Sequence, residues 1–260
     1  MLRKWMCFLL VACSCQLFAQ DALQYQKPSK EILDLVDVTL APTTLVDDAQ
    51  QNMLLLFRDN YKSIEDLSKE ELRLAGLRID PTTNIGSRVT YYNDLQVQRV
   101  GSKDSLTIKG MPETPRLTNF TWSPNQRYMA FTHTAKMGVE LWVLDIEAAE
   151  ARKLFDKPIN ANMGDTLNWN ADSSSLLVKV VPKDRKNLID TSVAVPTGPT
   201  ISVSDGKKAQ NRTYQDLLKN KNDEFNFEQL ALSELYKISL DGTTTKWKES
   251  NMYRSISFSP

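Results

Sequence analysis

The sequence predicts an all-β protein, a partial and open β-propeller of about four blades behind an export signal, and three observations predict it. Short apolar and β-branched runs recur between turn residues, the pattern of a sandwich, barrel or propeller. An aromatic segment repeats: Phe120-Thr-Trp122-Ser-Pro-Asn-Gln-Arg-Tyr-Met-Ala-Phe131 aligns with Leu167-Asn-Trp169-Asn-Ala-Asp-Ser-Ser-Ser-Leu-Leu-Val178, an offset of 47 residues. Ile256-Ser-Phe258-Ser-Pro260 opens a further copy 89 residues after Trp169. A second element repeats in phase, Glu140-Leu-Trp-Val-Leu-Asp-Ile146 with Glu234-Leu-Tyr-Lys-Ile-Ser-Leu240, followed by the hairpin pair Asp241-Gly242. A period near 45 residues with four short strands per unit is that of a propeller blade.

From the N-terminus, Arg3 and Lys4 precede an apolar run from Trp5 to about Cys13, and Leu17-Phe18-Ala19 supplies a small residue for cleavage. This reads as a signal peptide over residues 1–19, too short to span a bilayer. A competing reading takes Leu10-Val11-Ala12-Cys13 as a lipobox, which would leave a lipid anchor on Cys13. Both readings export the protein to a periplasmic or extracellular location. Cys7, Cys13 and Cys15 all lie inside the signal, so the mature chain has no disulfide, thiol nucleophile or cysteine metal site. With 41% hydrophobic residues it must instead be held by an apolar core. Lys plus Arg and Asp plus Glu balance at 32 each, which argues against nucleic acid as a partner. No later stretch is apolar enough for a membrane span.

The expected strands are Met53–Phe57, Arg88–Tyr92, Leu95–Val100, Tyr128–Thr132, Glu140–Asp145, Leu176–Val181 and Glu234–Ser239. In the repeated Ser-Pro, proline fixes φ and removes a donor that the turn cannot use. Pro182 to about Leu232, with Pro196 and Pro199, breaks the strand rhythm and reads as an insertion. Ser63-Ile-Glu-Asp66, Ser68-Lys-Glu-Glu71 and Thr213-Tyr-Gln-Asp216 look like helix starts, the last running through Lys219. Residues 20–260 are read as one domain.

Several stretches together resemble the glutamyl endopeptidase branch of the prolyl oligopeptidase-like serine peptidases. They are Lys27–Asp37, Glu71-Leu-Arg-Leu-Ala-Gly-Leu-Arg-Ile-Asp80, Thr121-Trp-Ser-Pro124 with Tyr128–Phe131, Val195-Pro-Thr-Gly-Pro-Thr200, Arg212-Thr-Tyr-Gln-Asp-Leu-Leu-Lys219 and Leu235–Gly242. The resemblance covers about residues 27–260 and implies an N-terminal propeller that gates peptide access to a C-terminal α/β-hydrolase domain with a Ser-Asp-His triad. No two of the nine glycines lie four apart, so Gly-x-Ser-x-Gly is absent and no catalytic residue is assigned. The chain is expected to be inactive alone, an open fragment whose sheet edges favour aggregation. The alternative is a stand-alone propeller that serves as a protein-interaction module.

The remaining candidates read as structural. His133, the single histidine, lies on a strand and is expected to be packed or solvated. Asp47-Asp48, Glu70-Glu71 and Asp223-Glu224 lack the alternating ligands of a calcium loop and read as solvated faces or helix starts. No metal or cofactor is expected. Trp122, Trp142 and Trp169 sit in blade register and read as core, while Trp247 is unconstrained. Lys183-Asp-Arg-Lys186 and Lys207-Lys208 read as loop charge. If the resemblance extends to bond preference, the substrate carboxylate needs a cation, for which Arg88, Arg116 and Arg212 are candidates.

Overall fold

The computed structural model describes residues 26–190 and 214–258, together with positions 192, 193, 198, 201, 203 and 206. The proposed signal peptide, the three cysteines, Lys207-Lys208, Arg212 and Thr213 lie outside the described residues. The chain divides into two compact units, Met1–Thr39 and Leu40–Pro260. In the first, helix α1 (Lys30–Val36) follows Ser29 at its N-cap position and buries none of its residues.

The second unit is built from three four-stranded antiparallel meanders. The first contains β1 (Thr43–Val46), β2 (Asn52–Phe57), β6 (Asp94–Arg99) and β7 (Ser105–Thr107), and the second β8 (Leu117–Trp122), β9 (Tyr128–Ala135), β10 (Gly138–Asp145) and β11 (Glu150–Ile159). The third contains β12 (Leu167–Trp169), β13 (Ser175–Val180), β14 (Leu232–Ser239) and β15 (Thr244–Met252). The Ile159–Val180 pair joins the second meander to the third. Ile256 packs with Leu177 and Leu235 of the third meander, joined by Phe258, as the aromatic segments of the second and third meanders pack against their predecessors.

Each repeat has a physical cause. After the first strand the chain makes the same turn three times. The amides of Asp47, Ser123 and Asn170 donate to the carbonyls of Asn52, Tyr128 and Ser175 at 3.0, 2.8 and 2.8 Å. The fourth residue of each turn, Gln50, Gln126 or Ser173, takes a positive φ of 55°, 58° or 61°. The first of these turns escaped the sequence comparison because Val46 stands where the others have tryptophan. The second motif repeats a side-chain network. Glu140 accepts from Trp142 Nε1 and Lys153 Nζ, both at 3.0 Å. Glu234 accepts from Tyr236 Oη at 3.2 Å and Lys246 Nζ at 2.8 Å. A carboxylate, an aromatic donor two residues on and a lysine on the next strand tie strands three and four together.

The cores lie between meanders, because strand residues alternate between faces. Met129 and Phe131 turn toward Leu54, Leu56, Leu95 and Val97 of the first meander. Ala130, Leu141 and Val143 turn toward Leu176, Val178 and Ile238 of the third. Trp169 stacks on Tyr128 at 6.4 Å and donates its Nε1 hydrogen to Thr121 O at 3.1 Å. Trp142 lies over Phe131 at 6.5 Å, and Trp122 is packed in the same cluster. These three tryptophans are half-buried and pack against the cores, as their spacing implied, whereas Trp247 is exposed.

Both departures from the blade pattern are insertions between a second and a third strand. Residues 58–93 lie between β2 and β6 and hold α2 (Ile64–Ser68), β3 (Leu72–Leu74), β4 (Leu77–Asp80) and β5 (Ile85–Gly86). Residues 181–231 lie between β13 and β14 and hold α3 (Lys221–Ala231). Because strands alternate in direction, second-to-third connections and crossovers between meanders share one end, so both insertions emerge together. Leu-Ala-Gly-Leu is explained here: Ala75 (φ 51°) and Gly76 (φ 80°) form the two-residue turn of the β3–β4 hairpin.

Four local expectations are corrected. Arg88–Tyr92 is not a strand; only Tyr92 pairs, with Leu117 across the seam between the first two meanders. Ser63 caps α2 by accepting from the Asp66 amide at 3.1 Å, but Ser68 ends that helix and Lys69 is already extended. Tyr214–Lys219 is not helical, and the helix begins at Lys221 because Asn220 Oδ1 accepts from the amides of Asn222 and Asp223. Asp47 and Glu71 are not solvated faces. Asp47 is buried and accepts from the Gln51 and Asn52 amides at 2.7 and 3.0 Å, closing the first repeated turn. Glu71 belongs to the site below.

Candidate functional site

The insertion-bearing end of the second unit carries a cleft of about 670 Å³ between residues 58–91 and the crossover at Pro115 and Arg116. The fold brings two of the three candidate arginines, Arg88 and Arg116, to its walls. Arg58, Lys62, Lys69 and Arg73 join them, against the carboxylates of Asp59, Asp66, Glu71 and Asp80.

Glu71, placed just before β3, pairs with three basic side chains, accepting hydrogen bonds from Arg73 and Arg88. Arg73 Nε lies at 2.9 Å, Arg88 Nε at 3.0 Å and Arg78 Nη1 at 3.5 Å, while the Ser87 hydroxyl donates at 2.6 Å. The Arg88 guanidinium, then the Ser87 hydroxyl and Arg73, hold its carboxyl at about 2, against the opposing pull of burial. On the facing wall, Arg116 Nη2 meets Asp66 at 2.8 Å and its guanidinium lies over the Tyr91 ring at 4.2 Å. Burial pushes the Asp66 carboxyl up, but Arg116, Ser63 and Lys69 together bring it down to about 2. Both carboxylates are therefore ionised and shared among more cations than they neutralise.

A second cleft of about 820 Å³ shares Lys69, Asp80, Asn93, Pro115 and Arg116 with the first, and His133 lines it. His133 Nδ1 accepts from the Arg116 amide at 3.2 Å, and the ring stands edge-on to Trp142 at 6.3 Å. Burial lowers its pKa, with Glu140 opposing and Arg116 and Lys153 adding to the shift. The histidine is packed, as its strand position implied.

The arrangement can recognise an anionic or amide-bearing ligand through guanidinium groups whose outer edges remain open; the Arg73 and Arg88 side chains are 56% and 62% exposed. Within it, Glu71 and Asp66 are held ionised by their arginine partners. Among the described residues, no three His, Cys, Asp or Glu side chains gather as a metal site. Arg185 of the basic run bonds Asn84 Oδ1 and is half-buried. The sequence reading missed Asp66, Glu71 and Tyr91 as partners of the arginines. The one available signal was the acidic pair at 70–71 preceding the Leu72-Arg73-Leu74 strand.

Serial four-stranded meanders with their cores between neighbouring sheets define the class, a β-propeller region. The particular kinship comes from sequence. The chain is 33% identical over 250 residues to a probable glutamyl endopeptidase, chloroplastic, of Oryza sativa subsp. japonica, matching 91% of this chain and 26% of that protein. It is 32% identical over 247 residues to the Arabidopsis thaliana protein of the same name, matching 89% of this chain and 25% of the relative. The chain is thus related to the glutamyl endopeptidases across the quarter of their length that it spans. No family model matches it. Among solved structures, Pyrococcus horikoshii acylaminoacyl peptidase aligns with 82% of this chain and 26% of its own, at 10% identity and TM-score 0.39. No helix among the described residues is long and apolar enough to cross a membrane.

Proposed function

We propose that this chain is the substrate-gating propeller of an exported serine peptidase, in which a Ser-Asp-His triad outside residues 1–260 hydrolyses peptide bonds. The observation that carries this reading is the kinship with glutamyl endopeptidases over nine-tenths of the chain. Gly-x-Ser-x-Gly is absent from the sequence and His133 is committed to the Arg116 amide, which supports a gating rather than a catalytic part. The cationic cleft would hold a peptide carboxylate on its way to the triad. Export rests on the apolar run after Arg3 and Lys4, with Cys13 as a possible lipid attachment point if cleavage falls there.

The test uses the longest open frame that contains these residues. That protein is expected to cleave glutamyl peptides of some tens of residues while sparing the same bonds inside a folded domain. Its activity should vanish when the serine of its Gly-x-Ser-x-Gly is changed to alanine. Equal cleavage of folded and unfolded substrate would remove the gating role. Absence of any nucleophile in that frame would leave a propeller that binds peptides without cutting them.

A further inference from the structure

We propose that the two insertions fold as a single cooperative cap that fastens the first meander to the third, independently of the sheets. The two segments are far apart in sequence, and apart from Ile85, Val89 and Tyr91, which pack in the core of the second and third meanders, their described apolar cluster is a shared one. Leu74 and Ile79 of the first insertion are buried against Leu230 of the second, with Leu72, Leu77, Leu188, Leu218 and Phe227 around them. A three-stranded hairpin sheet this short and a lone helix of eleven residues are each marginal in water. Together they bury one apolar cluster, so each is the condition for the other.

Polar contacts cross the same boundary. The Gly76 amide donates to the Asp216 carbonyl at 3.0 Å, and Arg78 Nε meets the Asp216 carboxylate at 3.2 Å. Arg185 donates to Asn84 Oδ1. Within the second insertion, Asn226 closes the loop by accepting from the Ile189 amide and donating to its carbonyl, both at 2.8 Å. Both halves then rest on one crossover. Ala161 N donates to Asn84 O at 2.9 Å from below the first insertion. Asn160 and Asn162 donate their side-chain amides to Leu230 O, at 2.9 Å each, from below the second.

Besides the cores between them, the meanders share little backbone pairing, the Lys109–Glu150 bridge on one side and the Ile159–Val180 pair on the other. The first and third meanders are not sequence neighbours, and the cap is the place where residues of their two insertions meet. Arg78 contacts both Asp216 and Glu71, and Glu71 holds Arg88, so the cap also fixes one wall of the charged cleft.

Native-state hydrogen exchange on the whole chain, followed as denaturant is raised, tests the idea. Amides of Gly76, Ser87, Ile189 and the α3 backbone are expected to share one opening isotherm, shallower than that of β9 and β10. Leu230→Ala should speed exchange at Gly76 and Ile79 by about thirtyfold or more, although those residues lie far from it in sequence. Acceleration confined to residues 214–232 would overturn the proposal. If the variant does not fold, the wild-type isotherms decide: separate openings for the two insertions, or one opening shared with β9 and β10, would each overturn it.

Discussion

The meanders and the insertions obey different rules, although they alternate along the same chain. A meander is written locally: its turn is closed by Asp47, Ser123 or Asn170, and its third strand is tied to the fourth by Glu140 or Glu234. The second and third meanders use these groups at the same offsets, which is why their repeat shows in the sequence. An insertion is written non-locally, since its apolar residues are few and find partners in the other insertion or, for Ile85, Val89 and Tyr91, in the core of the second and third meanders. Periodicity thus reports on parts that complete themselves with the next unit in line, and is silent about parts completed from afar.

The largest effect expected from this contrast is at the seams. Phe131 is fully buried between the first two meanders and stacks on Phe120 at 5.7 Å. Phe131→Ala should destabilise the whole second unit by about 3–5 kcal/mol, read as a lower chemical-denaturation midpoint. Loss of structure restricted to β8 and β9 would show that the meanders are not coupled through their cores.

Next comes pH, which should act on the two regions in opposite ranges. Lys179 lies on β13, 1% exposed, with its Nζ on the Met163 carbonyl; burial, only partly opposed by Asp165, pushes its pKa down to about 8. Between that value and the ordinary 10.5, the unfolded chain binds a proton that the folded chain has released, so stability rises with pH across this window, by up to about 3 kcal/mol. Lys179→Met should abolish that slope; an unchanged slope would assign it elsewhere. In the first insertion, Asp66 and Glu71 are depressed to about 2, so their contribution is complete above the ordinary carboxylate range and is lost as pH falls toward 2. Acid should therefore loosen residues 58–93 before it touches the meanders, a sequence that amide exchange at pH 5 and pH 3 would reveal.

The smallest effect is local. Ala75 holds a positive φ of 51° in the β3–β4 turn, where an L side chain is strained. Ala75→Gly should stabilise the cap by about 1 kcal/mol or less, measured as slower exchange at Leu77 and Ile79. A destabilisation would mean that the added freedom of the unfolded chain outweighs the relieved strain.

Much of the fold was legible because it is repetitive. The repeated Trp122 and Trp169 segments located the second and third meanders, while the first was half hidden because Val46 replaces the aromatic and residues 58–93 separate its strands. The site was less legible. Arg88 and Arg116 stood out only as possible carboxylate partners, and the structure shows both already engaged by Glu71 and Asp66. The acidic pair at 70–71 lies beside Arg73, but only the fold brings Arg78 and Arg88 onto Glu71 as well.

By itself, the chain's sequence determined the strand-rich class, the blade period, the core role of Trp122, Trp142 and Trp169, and the kinship with glutamyl endopeptidases. All of these rest on patterns that recur within a few dozen residues, where backbone periodicity and turn chemistry act directly. Only the tertiary structure decided that Arg88–Tyr92 is a cleft wall rather than a strand, that α3 starts at Lys221, and that two distant insertions share one core. Those outcomes depend on which groups lose water together, and burial is a property of the folded whole rather than of any segment.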